Sequence, residues 1–288
     1  MRPYAVMWSG GKDSALALAR ARREGRQIGC LLNFIDDATR RVRFHATRAE
    51  LIAAQADAIG VELRQRATSW SDFDAAFREA LTALAADGYA GLIFGDIHLA
   101  DVRAWYEERV RAAGLEHVEP LWGEPPTKLL EEFVLGGGRA VITCCELAKL
   151  DETWLGRVID RDFLADIAGV AIDPCGENGE YHSFAFAGPA FRAPVAWSAG
   201  PRRTEAGFVQ LDLLSSTEIV DAVVAEVVSA HAGLAAAAAR SRPKAWGRLA
   251  GIGVVAYRER LGRAPGELER RALWQALWHA AHEAVRSS

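Results

Sequence analysis

The feature that most restricts this chain is Ser9-Gly10-Gly11-Lys12-Asp13-Ser14, set between a β-like run from Tyr4 to Trp8 and a helical pattern from Lys12 to Glu24. Two glycines after a strand let the backbone turn tightly and approach an anion. The N–H groups of the loop and of the helix start then point at that anion, with two hydroxyls and a lysine beside them. This is the chemistry of pyrophosphate binding. It is not a Walker A loop, because Asp13 stands where Ser or Thr must follow the lysine, and no G-x-G-x-x-G accompanies this strand-to-helix turn. The plainer reading, a flexible turn with Ser or Asp capping the helix, suits a bare Ser-Gly-Gly. Five specified letters in a strand-loop-helix setting favour nucleotide binding.

Beyond the loop the chain repeats this alternation of strand and helix. Ile28 to Ile35 reads as a second strand, Leu51, Ile52, Gln55, Ala56 and Ile59 give a helical face, and Val61 to Arg66 reads as a strand. Phe73, Ala76, Phe77, Ala80, Leu81 and Leu84 fall on one helical stripe that faces a sheet. Gly91 to Gly95 is a short strand, Val102 to Ala113 a helix, and Arg139 to Thr143 another strand. Helices separating strands indicate an α/β fold with a largely parallel sheet.

Near Asp151 the texture changes. Residues 169–214 are rich in Gly, Pro and aromatics, with alternation from Phe208 to Leu213, so a smaller β-containing lobe is expected. Ser215 to Glu218 has the spacing of a capping box, and Ile219, Val220, Val223, Val224, Val227 and Val228 form the stripe of the helix it starts. Two more helices are expected around Leu249 to Leu261 and Glu267 to Val285. The organisation is therefore 1–150, a nucleotide-binding domain; 151–214, a substrate lobe; and 215–288, a helical C-terminal extension, expected to dock on the body or self-associate.

Charge and cysteine usage exclude other classes. Thirty-four Lys and Arg against 38 Asp and Glu leave a net charge of −4, the wrong sign for a nucleic-acid partner. Four cysteines without C-x-x-C spacing point to a reducing compartment, the cytoplasm. No apolar stretch suits a signal peptide or a membrane span.

The loop resembles that of the PP-loop ATP pyrophosphatases, the adenine nucleotide alpha-hydrolase superfamily. Gly95-Asp96-Ile97, Asp101, Arg103, Arg109, Pro120-Leu121-Trp122-Gly123 and Gly176-Glu177-Asn178-Gly179-Glu180-Tyr181 extend the resemblance to the diphthine-ammonia ligase-like family, in its bacterial branch, over roughly residues 1–214. The resemblance implies a HUP-type Rossmann-like parallel sheet with helices on both faces. It implies ATP and Mg2+ as cofactors, cleavage of ATP to AMP, adenylation of a carboxylate, and displacement by ammonia to leave an amide. Adenylation is needed because a carboxylate's own leaving group would be oxide, and the loop stabilises charge developing on pyrophosphate. Sulfur transfer, nucleotide hydrolysis and a non-catalytic nucleotide-binding module are the alternatives.

By that resemblance Ser9, Gly10, Gly11, Lys12, Asp13, Ser14 and Asp96 hold the nucleotide, and Lys12, Asp13 and Glu180 are the catalytic candidates, Asp13 also for magnesium. Asp101, Arg103, Glu177, Asn178, Gly179, Glu180 and His182 are the substrate candidates. Asp96 reads equally as a cap for the helix beginning near Leu99. The diphthamide enzymes carry Gly and Glu where this chain has Asn178 and His182. An imidazole in place of a carboxylate implies a different acyl substrate, a small-molecule carboxylate such as a cobamide precursor.

The remaining polar and aromatic candidates read as structural. His45 and His98 are ordinary polar positions. Cys144 and Cys145 point to opposite faces of a strand and suit a core, as does Cys175. Trp274, Trp278 and His282 recur at every fourth residue, a stripe for packing or for a homodimer.

Overall fold

The computed structural model describes residues 2–43, 45–240 and 242–286. The chain forms two units, one of residues 1–195 with 200–213, the other of 196–199 with 214–288.

In the first unit, β1 (Tyr4–Met7), β2 (Ile28–Asp36), β3 (Glu62–Thr68), β4 (Gly91–Ile93) and β5 (Glu116–Val118) make a sheet of order β3-β2-β1-β4-β5. Every pairing in it is parallel. The crossovers carry α1 (Lys12–Arg23), α2 (Ala49–Ile59), α3 (Phe73–Ala86) and α4 (Ala100–Ala112). The six-residue stripe on α3 behaves as its period requires: Phe77, Ala80, Leu81 and Leu84 are buried with Ala5, Leu32 and Leu92 of the sheet, and Phe73 and Ala76 pack at the margin. The chain runs outward from β1 to β3 and returns to β4 on the other side of β1. That reversal makes the C-terminal ends of β1 and β4 the place where a parallel sheet opens a ligand crevice.

After α5 (Pro126–Leu135) comes β6 (Arg139–Glu146), the strand expected at Arg139 to Thr143, but it does not extend the parallel sheet. It pairs antiparallel with β7 (Val158–Ile159), β8 (Tyr181–Ala187) and β10 (Phe208–Leu214). β9 (Ser198–Glu205) flanks β10, and α6 (Arg161–Ile167) lies between β7 and β8 in the chain. The second sheet thus begins ahead of the change expected near Asp151. The reason is physical: residues 140–145 are buried on both faces, and a doubly buried strand reads as an apolar run with no mark of direction. Cys144 and Cys145 are buried within it.

The second unit holds α7 (Ser216–Ala230), α8 (Ala232–Ala239), α9 (Pro243–Leu261) and α10 (Glu267–Arg286). The α7 stripe is covered within the unit, where Ile219, Val223 and Val227 pack with Leu249, Tyr257, Leu273 and Leu277. Trp278 meets Trp246 edge-to-face at 5.2 Å and the His282 ring at 4.2 Å. Among the described residues no single helix is long and apolar enough to cross a membrane.

Candidate active site

β1 ends at Met7 and α1 begins at Lys12, so Ser9-Gly10-Gly11 is the turn between them. Gly10 has φ +85°, and a side chain there would meet Ile52 Cδ1 at 2.7 Å. The turn needs glycine for its backbone angle and for its space. Gly11 is the N-cap of α1, and it has no side chain of its own to cap the helix. The capping alternative for this motif therefore does not hold. Ser9 Oγ instead accepts from Gly11 N (3.2 Å), and Ser14 Oγ donates to the Gly11 carbonyl (3.0 Å). The N–H groups of Asp13 and Ser14 find no acceptor among the described residues, leaving helix-start donors for a ligand.

A cavity of about 350 Å3 opens on this turn. One part of its wall is aromatic, with Phe34, Phe73, Phe94 and Tyr106; another is polar, with Ser9, Asp13, Asp96 and Glu177. Asp96 follows β4 across from the loop, and Gly95 lets the two segments touch, since a Cβ there would lie 2.8 Å from Asp13 C and Ser14 N. Asp96 is not a cap for α4, whose N-cap is Leu99 with no side-chain bond. Burial pushes its carboxyl up to about 6, with Asp13 adding to the effect. Glu177 is pushed up to about 7, by burial first and then by Asp13, against the stabilising Ile97 N–H.

The second sheet brings the later motif to the loop through β8. Ala185 N donates to the Gly10 carbonyl (2.8 Å), and Lys12 N to Ser183 Oγ (3.2 Å). Gln55 of α2 closes the join, donating to the carbonyls of Gly10 (2.9 Å) and Ala185 (2.6 Å). Glu177 Oε1 accepts from Ile97 N (2.8 Å), and the Ile97 carbonyl accepts from Gly123 N (2.8 Å). One residue, Ile97, thereby joins three segments singled out in the sequence.

Lys12, expected at the phosphates, lines the cavity with its ammonium already engaged. It is buried, and its ammonium donates to Asp13 Oδ2 (2.9 Å) and to the Cys175 carbonyl while lying 4.9 Å from the Tyr181 ring centre. Burial alone would lower its pKa, but Asp13, Tyr181 and Cys175 outweigh that and raise it. It is a charged strap between the loop and the second motif. Asp13, the magnesium candidate, is thereby paired, and among the described residues no group of three or more His, Cys, Asp or Glu side chains is placed to hold a metal ion.

Other expected site residues lie away from the cavity. Glu180 is buried and turned into its own loop, accepting from Asp173 N and Asn178 Nδ2, both at 3.3 Å. Asn178 is exposed, and its carbonyl accepts from Lys149 Nζ (2.9 Å). Gly179 has φ +85° and belongs to the same turn. Asp101 lines an adjoining depression, which shares Phe73 and Tyr106 with the cavity. Arg103 pairs with buried Glu119 (2.9 Å) and lies 4.4 Å from the Trp122 ring centre. Arg109 pairs with Asp74 and stacks on Trp105 at 3.8 Å. Conversely, His45 lines the cavity. Its Nδ1 is 3.0 Å from the Ser183 carbonyl, and its ring lies 4.8 Å from that of His182. Nothing near residue 45 in the sequence pointed to this, because its partners are about 138 positions away.

Two family matches accord with this geometry. Residues 1–117 match the diphthamide synthase N-terminal domain, and residues 125–211 match the diphthamide synthase C-terminal domain. No curated protein matches the chain.

Proposed function

The chain belongs to the diphthamide synthase family, and on that premise we propose that it is an ATP-dependent, AMP-forming ligase that adenylates a carboxylate and transfers ammonia to it, forming an amide. The observation that carries the reading is the uncapped start of α1, aimed into a nucleoside-sized cavity at the reversal point of a parallel sheet. In this reading the N–H groups of the loop hold the phosphates and the aromatic wall receives the base. Lys12 keeps the second motif against the loop. Asp96 and Glu177 face the reacting end of the nucleotide.

Magnesium suits the site when it arrives on the phosphates, because such an ion needs only one or two protein carboxylates. Asp13 is the candidate. When bound, the ion supplies charge neutralisation for the departing pyrophosphate.

The acyl substrate in this reading is a small-molecule carboxylate, a cobamide precursor among the candidates, and the setting is the cytoplasm. His182 supports this over diphthine. Burial, then His45 and Lys12, hold its imidazole well below the ordinary histidine value, so it is neutral and offers no carboxylate to a trimethylammonium group. The test is product identity. With ATP, magnesium, ammonium and candidate acids, AMP and pyrophosphate are expected. ADP and phosphate, or efficient amidation of diphthine on elongation factor, would overturn the reading; ATP binding without turnover would point to a non-catalytic module.

A further inference from the structure

The charges around the cavity pose a problem for a polyanion. Its lining carries the carboxylates Asp13, Asp96 and Glu177 against the cations Lys12 and Arg43. Lys12 is already held by Asp13, the Cys175 carbonyl and the Tyr181 ring. Arg43 donates from Nη2 to the Thr68 carbonyl (2.6 Å) and lies over Trp70, with its buried Nη1 left without a hydrogen-bond partner among the described residues. Backbone N–H groups can hold phosphate oxygens, but a triphosphate entering this wall draws further positive charge to it.

His45 is placed to supply that charge. Its Cε1 lies 2.8 Å from where a side chain on Gly11 would begin, so the ring edge rests against the second glycine of the loop. Nδ1 faces the Ser183 carbonyl at 3.0 Å. A carbonyl oxygen only accepts, so Nδ1 carries the proton, and in the neutral ring Nε2 is bare. Nε2 is bonded to the same Cε1, the ring atom that lies against Gly11.

We propose that His45 is a second phosphate contact, which takes up a proton when the nucleotide binds and donates it from Nε2 to a phosphate oxygen seated at Gly11. The proposal rests on the reading of Ser9 to Ser14 as a phosphate site. The proton comes from solvent and returns to it when pyrophosphate leaves, and no covalent bond of the ligand changes in this step. In the free protein burial holds the imidazole below its ordinary value, against the pull of the Ser183 carbonyl; Asp13 favours its charged form and Lys12 disfavours it. His182 is held lower by burial, by His45 and by Lys12, so of the two rings His45 is the more readily protonated. Asp96 and Glu177 also take protons near neutrality, and variants at His45 separate their share.

The experiment is calorimetric titration of the full chain with pyrophosphate, and with magnesium and α,β-methylene ATP, in buffers of differing ionisation heat. His45→Asn keeps an amide N–H for the Ser183 carbonyl but has nothing at the position of Nε2. His45→Gln places a neutral donor near that position. The wild type is expected to take up about one proton more than either variant. His45→Asn is expected to bind about tenfold more weakly, with His45→Gln nearer the wild type. A role confined to holding Ser183 predicts wild-type affinity and proton uptake for His45→Asn, and that result would overturn the proposal while leaving the loop reading intact. Failure of the wild type to bind either ligand would overturn both.

Discussion

Two helix N-termini in this protein meet the same physical requirement in opposite ways. At α7, Ser215 Oγ accepts from Glu218 N (3.4 Å) and Glu218 Oε2 accepts from Ser215 N (2.9 Å), so the helix satisfies its own first turn. At α1 the N-cap is a glycine without a side-chain bond. Helix starts lacking an internal partner are destabilising unless something else completes them. The first end is closed for stability, and the second is left open at a cavity. Comparing them separates what holds the fold from what awaits a ligand.

The largest effect is expected from filling the open end. Gly11→Val places a branched side chain against His45 Cε1 (2.8 Å) and the Ser183 carbonyl (3.3 Å). ATP affinity is expected to fall by about a thousandfold, roughly 4 kcal/mol, as read by calorimetry on a variant whose circular dichroism matches the wild type. Undiminished affinity would remove the loop from the phosphate site.

Acidity offers the next test. Asp96 and Glu177 have folded-state values of about 6 and about 7, raised chiefly by burial. The unfolded chain loses these protons near pH 4 while the native state keeps them to pH 6–7, so the native state binds more protons in that window. Stability of the ligand-free protein should therefore decline as pH rises from about 4 to 7, by roughly 3 kcal/mol for each of the two groups. Thermal midpoints across that range, with Asp96→Asn/Glu177→Gln expected to be flatter, provide the check. Asp212 works in the other direction. Burial would raise it, but Arg48 and Arg41 bring it down to about 2, so its contribution is present above pH 4 and fades as pH falls from about 4 to 2.

Lys12→Met should loosen the strap that joins the open end to the second motif. A cost of about 2 kcal/mol in urea unfolding is expected from the lost pairing, together with weaker ATP binding because the segment at Cys175 is released. Equal stability in wild type and variant would show the strap to be idle. The smallest effect belongs to the closed end. Ser215→Ala should reduce stability by about 1 kcal/mol with unchanged ATP affinity, and any change in affinity would contradict the division of roles.

Elements whose cause is local are legible in the residues alone. The glycine turn, the α3 stripe and the Ser215-Glu218 capping box are set by residues within about four positions of each other, and spacing reveals them. The pairing of β6, the hold of Cys175 and Tyr181 on Lys12, the turning of Glu180 away from the cavity and the seat of His45 on Gly11 come from long-range packing. Each of these joins segments that the chain reaches by different routes. A lysine or a carboxylate in a motif declares its charge, but which partner takes it depends on which groups the fold buries beside it, because an unpaired charge away from water is costly and is resolved by its neighbours in space.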